Sequence, residues 1–291
     1  MAVIWGFTFS SIVSAAKPPV SIEQIGEAAG FNGIVLLSRG EDISWAKLGQ
    51  ANPVGLSVPQ TVNTSGSSAA YAGLSGYDIE ANWRWASVTK QIVAVLVLQE
   101  VAKGTIELDK SLANYLPSFK SANAKTITVR NLLRHQSGLP NPDDTLRAGS
   151  AIASYYLKSS KLNRNPLSGY CAGAVKGPAN GNWAYNNCDY IVAGALLKQV
   201  TGKSWFTLFQ ERIAGPLQLG SVQIRANSTK TQIGFAAGKR EPAISLAAFD
   251  SSGALSGSIF DLWKFDRALM TAKLLPRAQL NELWDGQADL G

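Results

Sequence analysis

One apolar run, Ile92-Val93-Ala94-Val95-Leu96-Val97-Leu98, constrains this chain more than any other feature. It lies in a stretch from Asn82 to about Lys103, ended by the stop signal Gly104, and reads as a helix with apolar residues on nearly every side. A helix of that kind has no solvent face and must be covered from several directions. At 291 residues and 46% hydrophobic, the chain is long enough to build that cover, as one large domain or two smaller ones.

Ser87-Val88-Thr89-Lys90 stands at the head of this helix. Residues three apart on a helix share a face, one turn apart. Ser87 would sit near unpaired backbone N–H groups and the positive end of the helix dipole. Lys90, one turn deeper, can be desolvated, which lowers its pKa and makes it a base or proton relay. Nucleophile and activator are then available without histidine, of which the chain has one, His135. The tetrapeptide alone is a weak signal, since Ser14-Ala15-Ala16-Lys17 repeats its pattern.

A partner motif is Tyr185-Asn186-Asn187, in a loop just before a helix that starts near Asp189. A tyrosine near a lysine ammonium is stabilised as phenolate and can take a proton from a serine or pass one to a leaving group. Asn187 offers an amide for a substrate carbonyl and for the lysine. The plainer reading of Tyr185 is a packed aromatic with one hydrogen bond.

Around these motifs, residues 31–48 read as a hairpin. Gly33-Ile34-Val35-Leu36-Leu37 is one strand, Arg39-Gly40-Glu41-Asp42 the turn and Ile43-Ser44-Trp45-Ala46-Lys47-Leu48 the second strand. Residues 53–76 read as a loop. Helices are expected from Ile127 through Leu133, over residues 189–200 with Gly202 as the stop, after the cap Ser204, over 261–270 and over 276–284 with Pro276 in its first turn. The order is hairpin, long helical insertion, then a segment returning to the hairpin. The expected architecture is α+β, an antiparallel sheet flanked by helices plus a helical subdomain over about residues 83–239.

The net charge of +7 is scattered, with no basic run longer than a pair such as Lys239-Arg240. A solvated basic surface is the ordinary reading, and no nucleic-acid partner is expected. Residues 1–16 read as an export signal, with an apolar core from Val3 to Phe9 and small residues Ser14-Ala15-Ala16 at a cleavage site. That places the mature chain, residues 17–291 as a single catalytic domain, in the periplasm or outside the cell. No later stretch holds eighteen uninterrupted apolar residues, so no membrane span is expected. Cys171 and Cys188 cannot complete a four-ligand zinc site, so no metal is expected. In an exported chain they form a disulfide candidate; the alternative is two reduced thiols.

Together these segments resemble the class C β-lactamase and penicillin-binding-protein-like serine hydrolases. Trp85-Ala86-Ser87-Val88-Thr89-Lys90 looks like their serine motif, and Leu132-Leu133-Arg134-His135-Gln136-Ser137-Gly138-Leu139-Pro140 is similar to their Leu-Leu-x-His-x-Ser-Gly-Leu segment. Tyr185-Asn186-Asn187 matches the Tyr-x-Asn motif, followed by Ala193-Gly194 and Val200-Thr201-Gly202. Ser252-Gly253-Ala254-Leu255 with Asp261-Leu262 resembles a later family stretch. The matches run in family order over about residues 31 to 284.

The resemblance implies that Ser87 attacks an ester or amide carbonyl to form an acyl-enzyme, that Lys90 and Tyr185 handle the proton, that Asn187 orients a small-molecule or peptide substrate, and that the Ser87 N–H is one oxyanion donor. No cofactor is implied. Within the family a broad esterase or D-amino-acid peptidase is favoured over a dedicated β-lactamase; the rival reading is a non-catalytic module that binds peptidoglycan or a β-lactam. A Ser-His-Asp triad through His135 has no Gly-x-Ser-x-Gly elbow beside it, and Asp143-Asp144 reads as a solvated loop. The family's Lys-Thr-Gly or His-x-Gly triad does not occur in this sequence. The expectation is a C-terminally shortened member with an incomplete sheet and poor activity. Oligomeric state stays open.

Overall fold

The computed structural model describes residues 81–147, 152–224 and 246–285, together with 33–40, 42–48 and 62–64 and short pieces at 24–25, 28–29, 235–236, 239–240 and 244. The expected export signal and the last residues of the chain lie outside the described residues. Two compact units divide between Gly73 and Leu74.

In the first unit, β1 (Gly33–Arg39) and β2 (Asp42–Leu48) form the expected antiparallel hairpin, in register from Gly33↔Leu48 to Arg39↔Asp42. Gly40 takes the left-handed conformation that a two-residue connection needs, at φ +63°. Alternation puts Ile34, Ile43 and Trp45 on a buried face and leaves Leu37 exposed. A third strand, β3 (Val62–Thr64), pairs antiparallel with β2 inside the stretch expected to be loop. Two β-branched residues there take up the otherwise open hydrogen-bonding edge of β2.

The second unit is built around α1 (Val88–Ala102). Residues 92–98 are buried throughout, and α1 meets α3 (Asn187–Thr201), α5 (Arg277–Trp284) and the turn at residues 246–252. This is the many-sided cover that its composition demands. The expected helix start at Asn82 is corrected. Trp83–Arg84 forms a short strand, β4, paired with β5 (Ser256–Gly257), and the helix begins four residues later. Gly257 is needed there because a Cβ would run into the Trp85 ring.

The remaining helices follow their local signals. In α2 (Val129–Leu133) a capping box joins Thr128 to Asn131. Helix α3 is capped by the Asn186 side chain and ends at left-handed Gly202. Ser204 caps Trp205–Phe209, which continues into a π-turn at Gln210–Ala214. Ser258 caps α4 (Ile259–Met270), while Pro276 is the residue before α5 rather than within it. Cys171 and Cys188 form a disulfide with a Cα–Cα distance of 5.3 Å, tying the 170–172 turn to the first turn of α3. Among the described residues no helix is long and apolar enough to cross a membrane.

Candidate active site

The strand–turn–helix at β4 and α1 presents Ser87. Trp85 N–H donates to the Leu255 carbonyl at 2.9 Å, which locks the strand end. Ala86 then takes a left-handed conformation, φ +46°, uncommon for a residue with a Cβ, and turns the chain sharply into α1. Ser87 stands at the N-cap position, but its side chain makes no capping hydrogen bond, so Oγ is left for the site. Among the described residues its backbone N–H has no protein acceptor.

Lys90 is 6% exposed and uses all three of its hydrogens. Nζ donates to Asn187 Oδ1 at 2.6 Å, to the Ser252 carbonyl at 2.7 Å and to Ser87 Oγ at 3.2 Å. Tyr185 Oη lies 2.5 Å from Ser87 Oγ, and the Tyr185 ring centroid is 4.7 Å from Lys90 Nζ. Ser87, Lys90, Tyr185 and Asn187 are thus brought together, from positions nearly a hundred residues apart.

Residues 135–141 hold the loop that carries Tyr185. The His135 carbonyl accepts from Ala184 N–H at 2.9 Å, Leu139 O from Asn186 Nδ2 at 2.7 Å, and Asn141 Nδ2 donates to the Tyr185 carbonyl at 2.9 Å. Gly138, at φ +69°, lies so close to the Gly177 carbonyl that a Cβ would collide with it. His135 Nδ1 is within hydrogen-bond distance of both the Asn186 N–H (3.2 Å) and Asp189 Oδ2 (3.1 Å), and its ring lies 4.8 Å from that of Tyr185. Ser137 Oγ donates to the other Asp189 oxygen. His135 therefore braces the loop; the position beside Ser87 Oγ belongs to Tyr185.

Burial dominates the electrostatics. Desolvation lowers the Lys90 pKa to about 7, against an opposing pull from Asp143 and Asp189. A large fraction of Lys90 is then neutral near pH 7. Neutral, it keeps two hydrogens for Asn187 and Ser252 and turns its lone pair to Ser87 Oγ–H. Tyr185 moves the other way from the phenolate expected from sequence: burial, reinforced by the Asp143 charge, raises its pKa despite the hydrogen bond to Ser87. The residue is 37% exposed, but its hydroxyl faces the serine. Burial likewise raises the pKa of Asp189, which is 0% exposed.

Several site residues carried no sequence signal. Asn187 Nδ2 donates to Tyr156 Oη at 2.6 Å and to the Asp143 carboxylate at 3.2 and 3.3 Å. Tyr156 is stacked on Phe249 with centroids 3.8 Å apart. Asp143, read from sequence as part of a solvated loop, is only partly exposed and touches the site; Asp144 faces outward to Lys176 at 3.7 Å. The Ser252 carbonyl belongs to a backbone kink around Asp250 (φ 45°, ψ −139°), which no side-chain motif announces. Among the described residues no cluster of His, Cys, Asp and Glu is arranged to hold a metal ion.

The Beta-lactamase family model matches residues 61–289. The chain is 30% identical to "Penicillin-binding protein 4" of Amycolatopsis lactamdurans over 46% of its own length and 33% of that protein's. It is 29% identical to "Esterase/beta-lactamase LipL" of Mycobacterium tuberculosis over 47% of its own length and 30% of that protein's. The chain spans about half or less of the length of these curated relatives. Among solved structures, D-amino acid amidase from Ochrobactrum anthropi SV3 shares the fold with a TM-score of 0.68 at 22% identity, covering 89% of this chain and 70% of that one.

Proposed function

This chain belongs to the beta-lactamase family, and from that premise we propose that it is a serine hydrolase that cleaves an ester or amide through an acyl-enzyme on Ser87. One observation carries the reading: Ser87 Oγ lies 3.2 Å from a buried Lys90 Nζ whose other hydrogen bonds, to Asn187 and Ser252, remain satisfied when the lysine is neutral.

Neutral Lys90 takes the Ser87 proton as Oγ bonds to the substrate carbonyl carbon. The Ser87 N–H faces the developing oxyanion. Tyr185, a neutral phenol between the serine and the cleft, gives its proton to the leaving group and is reprotonated from Lys90. Water then attacks the acyl-enzyme, and the proton retraces the path to restore Ser87. No step calls for a metal or cofactor. The relatives, a penicillin-binding protein and an esterase/β-lactamase, support this reading. Export to an oxidising compartment is part of the same reading, supported by the Cys171–Cys188 disulfide.

The test is turnover of p-nitrophenyl acetate alongside labelling by a fluorescent penicillin. Ester turnover that disappears in Ser87→Ala is the expected result. Full turnover in Ser87→Ala would remove the nucleophile from the reading, and stoichiometric penicillin labelling with no turnover of any ester or amide would make the protein a binder instead.

A further inference from the structure

Asn187 meets Lys90 through one end of a side-chain amide whose two ends are nearly equal in shape. A half-turn of that amide would exchange Oδ1 for the NH2 group and set two donors against Lys90 Nζ, itself a donor. Oδ1 accepts from Lys90 Nζ at 2.6 Å, while Nδ2 donates to Tyr156 Oη at 2.6 Å and to the Asp143 carboxylate at 3.2 and 3.3 Å. Tyr156 Oη in turn donates to Asp143. Tyr156 is buried and stacked on Phe249, so its hydroxyl has little freedom to turn elsewhere. A carboxylate only accepts, so it attracts Nδ2 and repels Oδ1. The same turn also grips the backbone. Asn141 Oδ1 accepts from the Asn187 N–H at 3.2 Å and from the Asp143 N–H at 3.3 Å, and Asn141 Nδ2 holds the Tyr185 carbonyl at 2.9 Å.

We propose that Asp143 is a positioning residue of the proton relay: braced by Tyr156, its carboxylate keeps the Asn187 amide turned with Oδ1 toward Lys90, and its charge acts on the lysine across that amide. The inference rests on the hydrolase reading above and gives Asp143 no contact with substrate. The charge works against burial. Desolvation drives Lys90 toward the neutral amine, and Asp143, ahead of Asp189, opposes it. Burial raises the Tyr185 pKa, and the Asp143 charge raises it further. Asp143 thus holds protons on both members of the relay to higher pH. The other ionisable groups facing Lys90 are Tyr185 and Tyr190, with ring centroids 4.7 and 5.8 Å from Nζ, and Asp189, which is shared with His135. Those facing Asp143 are Tyr156 and Tyr170, while Arg147 donates to its backbone carbonyl at 3.4 Å and Lys176 pairs with Asp144.

The experiment is a pH profile of kcat/KM for p-nitrophenyl acetate. Without the Asp143 charge Lys90 loses its proton more readily, so the acid limb in Asp143→Asn should move down by about one pH unit, the lower end of what a nearby opposite charge does. Asp143→Asn keeps an oxygen for Asn187 Nδ2, so its plateau should stay close to the wild-type level. Asp143→Ala should show the same shift with a plateau about tenfold lower, the worth of one hydrogen bond. Asp144→Asn, whose side chain faces outward, should leave both limb and plateau in place. A 15N NMR titration of the Lys90 amine, assigned by its loss in Lys90→Met, reads the shift without turnover. An acid limb and a Lys90 titration that stay at the wild-type pH in Asp143→Asn overturn the proposal, and so does a full plateau in Asp143→Ala. A merely structural Asp143 would lower the melting temperature or the plateau and leave the pH values unmoved. Ser87-dependent turnover with no Lys90 shift sinks this inference alone; a Lys90 shift with no Ser87-dependent turnover of any ester or amide sinks the hydrolase reading instead.

Discussion

Lys90 Nζ lies 2.6 Å from Asn187 Oδ1 and 3.2 Å from Ser87 Oγ, so the asparagine anchors the lysine and the serine is its looser partner. That order suits a relay. The tight bond keeps Nζ in place while the proton on the serine side changes hands. Asn187→Ala removes the anchor and leaves Lys90 with the Ser252 carbonyl and Ser87 Oγ. We expect kcat/KM to fall about ten- to a hundredfold, the value of a hydrogen bond to a charged group, measured by steady-state ester hydrolysis.

Tyr185→Phe keeps the ring beside His135 and Lys90 but removes the oxygen 2.5 Å from Ser87. Turnover should drop by about 10²–10⁴, the usual share of a general acid. The circular dichroism spectrum and melting temperature should stay close to wild type. Unchanged turnover would take Tyr185 out of the proton path.

The Lys90 pKa of about 7 sets two pH dependences of fixed sign. Activity requires the neutral amine, so kcat/KM for an uncharged ester should rise through about pH 7 and level off above it. For stability, the folded pKa lies below the ordinary value of 10.5, so between about 7 and 10.5 the unfolded chain holds a proton that the folded chain has lost. Stability from this group therefore rises with pH across that window, and below about 7 the burial of a charged Lys90 is a full cost. Urea midpoints of wild type and Lys90→Met should differ most below pH 7 and converge toward pH 10.

His135 braces the Tyr185 loop and contacts the buried carboxyl of Asp189 at 3.1 Å. His135→Ala strips that contact and places alanine at φ +56°, so unfolding free energy should fall by about 1–3 kcal/mol. His135→Asn tolerates the left-handed backbone and should recover part of the loss. Chemical denaturation of both variants checks this; an alanine variant as stable as wild type would exclude the bracing role.

Reducing Cys171–Cys188 opens a loop with a sequence separation of 17. The chain-entropy cost is about 3 kcal/mol for a loop of that size. Because Cys188 follows Asn187 directly, thermal unfolding with and without reductant should show a lower melting point, and ester turnover should decline with it.

Much of this protein follows from local sequence. Seven consecutive apolar residues force α1 to the centre, since no arrangement leaves residues 92–98 a wet side. The spacing of Ser87 and Lys90 puts both on one helix face, and Gly202, Ser204 and Ser258 end or begin helices through bonds to their own neighbours. Those effects act within one turn, where sequence spacing and spatial distance are the same thing.

The tertiary structure decided the rest. Pairing of Trp83 with Gly257 moved the start of α1 past Ala86, a contact between segments more than 170 residues apart. The third partner of Lys90 is a backbone carbonyl, that of Ser252, which any residue type could have supplied. Asp143 looked like part of a wet loop until residues 141–144 folded against Asn187. The proton on Tyr185 was assigned by burial: the sequence placed a lysine near it and pointed to a phenolate, and desolvation of the closed site reversed the direction. Desolvation depends on every atom that excludes water, so no motif can carry it.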